Sequence, residues 1–175
     1  MTGLKQEASM ETEDRAAAFK HAFRMHPAGV AVVTTKSKAG PQGLTVSSVA
    51  SVGVAPLAVA FSVASTNGSA GAVLGAERFV ISLLTADHAD LARAFASSGA
   101  PRFTPEQQWG TLDTGEPYLP TARAAFVCEP LHVVPVGESS LVIAEVIRIQ
   151  EGEDVPPLVY HDRQFTTVSR DGIAL

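Results

Sequence analysis

The residues of this chain best suited to chemistry are hydroxyls and amides. Thr45, Ser47, Ser48 and Ser51 fall close together, and Asn67, Gly68 and Ser69 follow. A loop of Ser, Thr, Asn and Gly that ends at a helix start offers an anion backbone N–H groups, side-chain donors and a favourable dipole. An extended Ser/Thr segment can also donate to the edge of a flat polar ring. Together the two segments suit a phosphorylated heterocycle. A plainer reading competes, in which small hydroxyls fill a tightly packed strand and cap a helix. Residue types alone leave both readings open.

Other chemistries lack their patterns. His21, His26, His88, His132 and His161 form no HxxxH or HxH pair, and His21 and His26 are spaced off one helical face, so no metal site is expected. There is no GxSxG elbow and no phosphate-binding P-loop. No GxGxxG follows the first strand-like run, so a nicotinamide nucleotide would not sit on a Rossmann domain.

The elements that must position these residues are mostly strands. Helical spacing of Ala16, Phe19, Ala22 and Phe23 predicts a helix over residues 15–25, stopped by Pro27 and Gly29. Residues 30–35 read as a buried strand, 36–43 as a turn, 44–54 as extended chain and 57–63 as a strand. A short helix through Ala70, Val73 and Leu74 follows, then a strand over 79–84. Asp87 reads as an N-cap with Asp90 as its capping-box partner, opening a helix with Leu91 and Phe95 on one face. Residues 97–121 are irregular and hold the only tryptophan, Trp109. Strands are expected over 124–134, 139–150 and 158–161. In the middle one, Leu141, Ile143, Ile147 and Ile149 share one face and Val142, Ala144 and Val146 the other, which predicts cover on both sides. The pattern predicts a mainly β fold, a β-barrel with helical additions.

Composition narrows the partners. The chain has 175 residues, 46% hydrophobic and 18% charged, enough for one domain with a real core. Residues 1–14 are polar and read as a flexible N-terminal arm, with the domain over 15–175. No stretch approaches about 18 uninterrupted apolar residues, so no membrane-spanning helix is expected. A net charge of -5 leaves no basic footprint for nucleic acid. The single cysteine, Cys128, excludes an intrachain disulfide. With no export signal recognised, a cytoplasmic location is expected.

From residue 23 to 165 the chain resembles the flavin reductase family, whose members adopt the FMN-binding split β-barrel. The matching runs include His26-Pro27-Ala28-Gly29-Val30, Thr45-Val46-Ser47-Ser48-Val49-Ala50-Ser51-Val52 and Pro56-Leu57-Ala58-Val59-Ala60-Phe61-Ser62-Val63. They continue with Arg78-Phe79-Val80-Ile81-Ser82, Leu91-Ala92-Arg93-Ala94-Phe95-Ala96 and Pro157-Leu158-Val159-Tyr160-His161. The T-x-S-S-x-x-S-V run between two strands is the most specific of these.

The resemblance implies hydride transfer from NADH or NADPH to FMN or FAD, in a homodimer that can supply reduced flavin to a partner monooxygenase. It implies that Thr45, Val46, Ser47, Ser48 and Val49 line the flavin ring, that Ser62, Val63 and Ala64 follow the ribityl chain, and that Asn67 and Ser69 hold the phosphate. It places His161 near the flavin or the partner subunit. Where the family often carries Gly-Asp-His, this chain has Gly137-Glu138-Ser139. Ser139 stands where the family's histidine places the nicotinamide, keeping a hydrogen-bonding group without the imidazole. That departure motivates alternatives: a flavin-binding split barrel without nicotinamide turnover, or one holding a deazaflavin or haem.

Overall fold

A computed structural model describes residues 2–168; Met1 of the expected arm and residues 169–175 of the expected domain lie outside the described residues. The helices are α1 (Thr2–Arg24), α2 (Gly68–Leu74) and α3 (Ala89–Ala96). The strands begin with β1 (Ala28–Gly29), β2 (Ala31–Ser37), β3 (Gly40–Val46), β4 (Ala50–Val54), β5 (Leu57–Val63) and β6 (Phe79–Leu83). They continue with β7 (Gly110–Thr111), β8 (Pro117–Tyr118), β9 (Ala124–Val136), β10 (Ser139–Glu151), β11 (Leu158–His161) and β12 (Gln164–Thr167).

Seven strands form one antiparallel sheet in the order β3-β2-β6-β9-β10-β5-β4. The sheet curls around Val33, Val46, Phe61, Val63, Phe79 and Ile81, but its edges β3 and β4 do not pair with each other. The barrel is therefore split, as expected. The other side of β2 carries Val32, with Val30 just before the strand, against Leu91, Ala92 and Phe95 of α3. Both faces of this strand are buried, which is why its sequence is a continuous apolar run. A second, three-stranded sheet, β1-β11-β12, packs beside α3.

Several local expectations differ from the structure. The polar run before residue 15, read as a flexible arm, lies within helix α1, because Lys, Gln, Glu, Met and Ala favour helix. The segment read as a turn and one extended chain is two strands, β3 and β4, separated by Ser47, Ser48 and Val49. Pro41 is tolerated because β3 is an edge strand. Residues 97–121 contain a short 3-10 turn (Pro105–Gln107) and the β7–β8 pair, and Trp109 packs against Phe95 and Phe103. The apolar strand β10 is covered on one face only: Val142, Ala144 and Val146 are buried, while Leu141, Ile147 and Ile149 remain exposed. Among the described residues no helix is long and apolar enough to cross a membrane.

The expected Asp87 cap is also corrected. Thr85 opens the 3-10 turn Ala86–His88 that leads into α3, and His88 closes the capping box. His88 Nδ1 accepts the Thr85 backbone N–H at 3.1 Å, which leaves Nε2–H to donate to Thr121 Oγ1 at 3.0 Å. Asp90 pairs instead with Arg93 at 2.6 Å. Burial lowers the His88 pKa, opposed by the charge of Asp87. The folded state therefore binds fewer protons than the unfolded chain. This contribution to stability is complete above the unfolded pKa of about 6.5. It is lost as pH falls from there to the lowered folded pKa. Urea melts at pH values above and below that window should show the loss in wild type and a smaller loss in His88→Gln, which keeps an acceptor without titrating. Equal losses in the two proteins would remove His88 as the cause.

Candidate functional site

The Ser/Thr run and the Asn67–Ser69 loop meet at the open seam of the barrel. Ser47, Ser48 and Val49 carry the chain from edge strand β3 to edge strand β4. Ser48 Oγ accepts the Ser62 backbone N–H at 2.9 Å, so this crossing segment is tied to the end of β5. Thr45 Oγ1 donates to the Ala92 carbonyl of α3 at 2.7 Å, which leaves that hydroxyl committed to the fold. Val46 and Val63 point into the core, and Val49 packs against it. Ser47, Ser62 and Ala64 are exposed. Val46 and Val63 also lie in strand ladders, paired with Ala31 and Ser140.

Asn67 starts α2 in an extended conformation, yet its side chain makes no capping bond. Ser69 Oγ donates to Gln42 Oε1 at 3.0 Å and accepts from Arg102 Nη1 at 3.1 Å. Arg102 is the residue that gathers this end of the seam. Its Nε donates to the Ala94 carbonyl at 3.1 Å, Nη1 to the Gly43 carbonyl at 2.9 Å, and Nη2 to the Ser97 carbonyl at 2.6 Å. The guanidinium also lies over the Phe95 ring, 5.5 Å from its centroid. Among the described residues it has no carboxylate partner. Gly43 makes this packing possible, since a Cβ there would stand 2.8 Å from Phe95 Cε1. Nothing in the sequence marks Arg102 by type or spacing; the available signal was the long irregular stretch that holds it.

At the β3 end of the crossing segment, Thr45, Val46 and Ser47 line a cleft of about 730 Å³. Arg93, Ser97, Tyr160, Arg163, Gln164 and Phe165 complete most of its wall. His161 is not among the lining residues; its neighbours on β11 and β12 are. Ser139 opens β10 just beyond the tip at Gly137, and the next residue, Ser140, pairs with Val63. This brings Ser139 to the Ser62–Ala64 end of the seam. No hydrogen bond links Ser139 to His161 among the described residues.

The free donors fit a flat, anionic group. Ser47 Oγ and the Asn67 amide have no hydrogen-bond partner among the described residues. Asn67 precedes Ser69, which holds an arginine without a counter-ion among the described residues, and Ser47 is exposed just past the end of β3. A nucleophilic cysteine does not compete: burial pushes the Cys128 thiol up to about 12. Among the described residues, no group of three or more His, Cys, Asp or Glu is placed to hold a metal ion.

Comparison with known proteins agrees with this geometry. The family model of the flavin reductase like domain matches residues 23–169. An NADH:FMN oxidoreductase of Rhodococcus qingshengii is 40% identical over 151 residues, covering 84% of this chain and 79% of that protein. The reductase component of an FADH(2)-dependent resorcinol hydroxylase from a Rhizobium species is 29% identical over 160 residues, covering 89% of each chain. The crystal structure of a flavin reductase domain protein from Arthrobacter sp. FB24 matches with a TM-score of 0.83 at 28% identity, covering 91% of this chain and 99% of that one.

Proposed function

The chain belongs to the flavin reductase like domain family, and from that premise we propose that it is an NAD(P)H:flavin oxidoreductase. The relative at 40% identity favours NADH and FMN as the substrate pair. The observation that carries the reading is the donor set at the seam: Ser47 and Asn67 unused, with Arg102 uncompensated beside Ser69. When bound, the flavin supplies the acceptor for a hydride from the nicotinamide.

The chain's own residues bind and orient. Ser47 and backbone groups of residues 45–49 donate to the polar edge of the ring, where negative charge develops on reduction. Thr45 and Ser48 act indirectly, holding the crossing segment against α3 and β5. Ser62, Val63 and Ala64 run along the ribityl chain, with Ser62 and Ala64 exposed toward it. Asn67, Ser69 and Arg102 hold the phosphate, with Arg102 supplying the charge. Ser139 and His161 remain the residues proposed to border the nicotinamide, Ser139 by its hydroxyl. No acid–base pair is required, because orientation and contact geometry carry the rate.

The assembly proposed is a homodimer. Leu131, Val133, Val136, Leu141, Ile147 and Ile149 leave apolar side chains of the β9–β10 hairpin exposed along its length, and a second subunit would cover them. The named role of the Rhizobium relative supports release of reduced flavin to a partner monooxygenase. A single buried thiol accords with a cytoplasmic setting.

Adding NADH to the flavin-loaded protein without oxygen should bleach the visible absorbance band of the flavin. Protein that holds flavin but bleaches with neither NADH nor NADPH would overturn the reductase reading.

A further inference from the structure

The β11–β12 hairpin turns through only two residues, Asp162 and Arg163, with φ of 46° and 63°. Such a turn favours glycine at its second position, and a long L side chain there is strained. Residues held in this way cluster at functional sites. The turn is fixed from outside. The Asp162 carboxylate pairs with Arg24 of α1, and its backbone N–H donates to the Arg24 carbonyl at 2.9 Å. Asp162 therefore does not neutralise its neighbour.

Arg163 makes no hydrogen bond or ion pair among the described residues, and it lines the cleft beside Thr45, Ser47 and Ser97. The other cation in the cleft, Arg93, is engaged: it pairs with Asp90 and lies over the Phe165 ring, 5.2 Å from its centroid. Among the described residues no carboxylate lines this cleft, although the whole chain carries a net charge of -5. Tyr160 and Phe165, with ring centroids 5.3 Å apart, give it an aromatic wall.

Resting on the reductase reading above, we propose that Arg163 binds the diphosphate of the dinucleotide co-substrate, with the Tyr160–Phe165 wall beside its adenosine half. The flavin phosphate is assigned above to Ser69 and Arg102, neither of which lines this cleft. FMN has one phosphate, so a second anion site calls for a dinucleotide. Nicotinamide dinucleotide and FAD share the diphosphate chemistry, and the proposal commits to the nicotinamide dinucleotide.

The test is calorimetric titration of wild type and Arg163→Gly with ADP-ribose, which carries the diphosphate and adenosine but no hydride. Titrations with FMN and FAD, NADH kinetics and a thermal melt accompany it. Glycine relieves the turn, so the variant should melt no lower than wild type. Its ADP-ribose Kd should rise about tenfold, as for loss of one charge-assisted contact. The KM for NADH should rise with kcat kept, and the FMN and FAD affinities should hold. Unchanged ADP-ribose affinity, or none in wild type, overturns the proposal. So does a loss confined to FAD, which would assign Arg163 to the flavin's own diphosphate, and so does an equal loss of FMN. If no bleaching occurs but ADP-ribose binding depends on Arg163, the reductase reading fails and the anion site stands.

Discussion

Replacing Arg102 with methionine should weaken FMN binding by about 10- to 100-fold, since a hydrogen bond to a charged group is worth about 1.5–3 kcal/mol. The guanidinium joins three pieces of chain: the Ala94 and Ser97 carbonyls around the end of α3, the Gly43 carbonyl of β3, and Ser69 of α2. Its loss removes a charge from the phosphate end of the seam and the clamp that holds that end together. Arg102→Lys separates the two effects. Lysine keeps the charge but not the planar fork, so it should recover part of the flavin affinity while leaving the Ser97 and Gly43 carbonyls less well held. Ser69→Ala removes one hydroxyl and should cost less than Arg102→Met. Flavin fluorescence titration reads all three. An unchanged FMN Kd in Arg102→Met would show that the phosphate lies elsewhere on the seam.

Phe79→Ala should cost about 3–5 kcal/mol of folding stability, the range for deleting a buried aromatic ring. Phe79 is fully buried at the start of β6 and meets Phe61 of β5 edge-on, with ring centroids 5.5 Å apart. The two rings fill the barrel between β6 and β5, where Val63 and Val142 also point inward. A domain of this size is stable by only about 5–15 kcal/mol, so the loss takes up a large part of the margin. Urea denaturation should show a lower midpoint with an unchanged slope. A loss below about 1 kcal/mol would mean that the barrel repacks into the space left by the ring.

Legibility in the sequence followed how local the signal was. The run through Val32 and Val33 announces a strand buried on both faces, and the Thr45–Val52 pattern announces the family, because both are written in consecutive residues. The cap at α3 was harder to read. Its box closes with His88 instead of Glu or Gln, and Asp87 offered a more familiar cap. Strand β12 escaped for a related reason: the turn before it is Asp162-Arg163, without the glycine that marks a two-residue hairpin. Arg102 was invisible because its partners come from β3, α2 and α3, far apart in sequence. The exposed face of β10 could be read as apolar, but not as uncovered, because alternation tells which side chains share a face and not what lies over it.

By itself, the amino-acid order determined a mainly β domain and its family, and it marked the hydroxyl segments proposed to approach a flavin. Period-two apolar patterns and hydroxyl spacing are local and survive in one dimension. Only the tertiary structure decided which hydroxyls are free. It committed Thr45 to Ala92 and Ser48 to Ser62, left Ser47 and Asn67 open, and brought Arg102 to Ser69 and Arg163 to the cleft. Whether a donor is spent or available depends on where distant carbonyls and amides come to rest. The closing of the sheet around its core sets those positions, and no run of neighbouring residues encodes them.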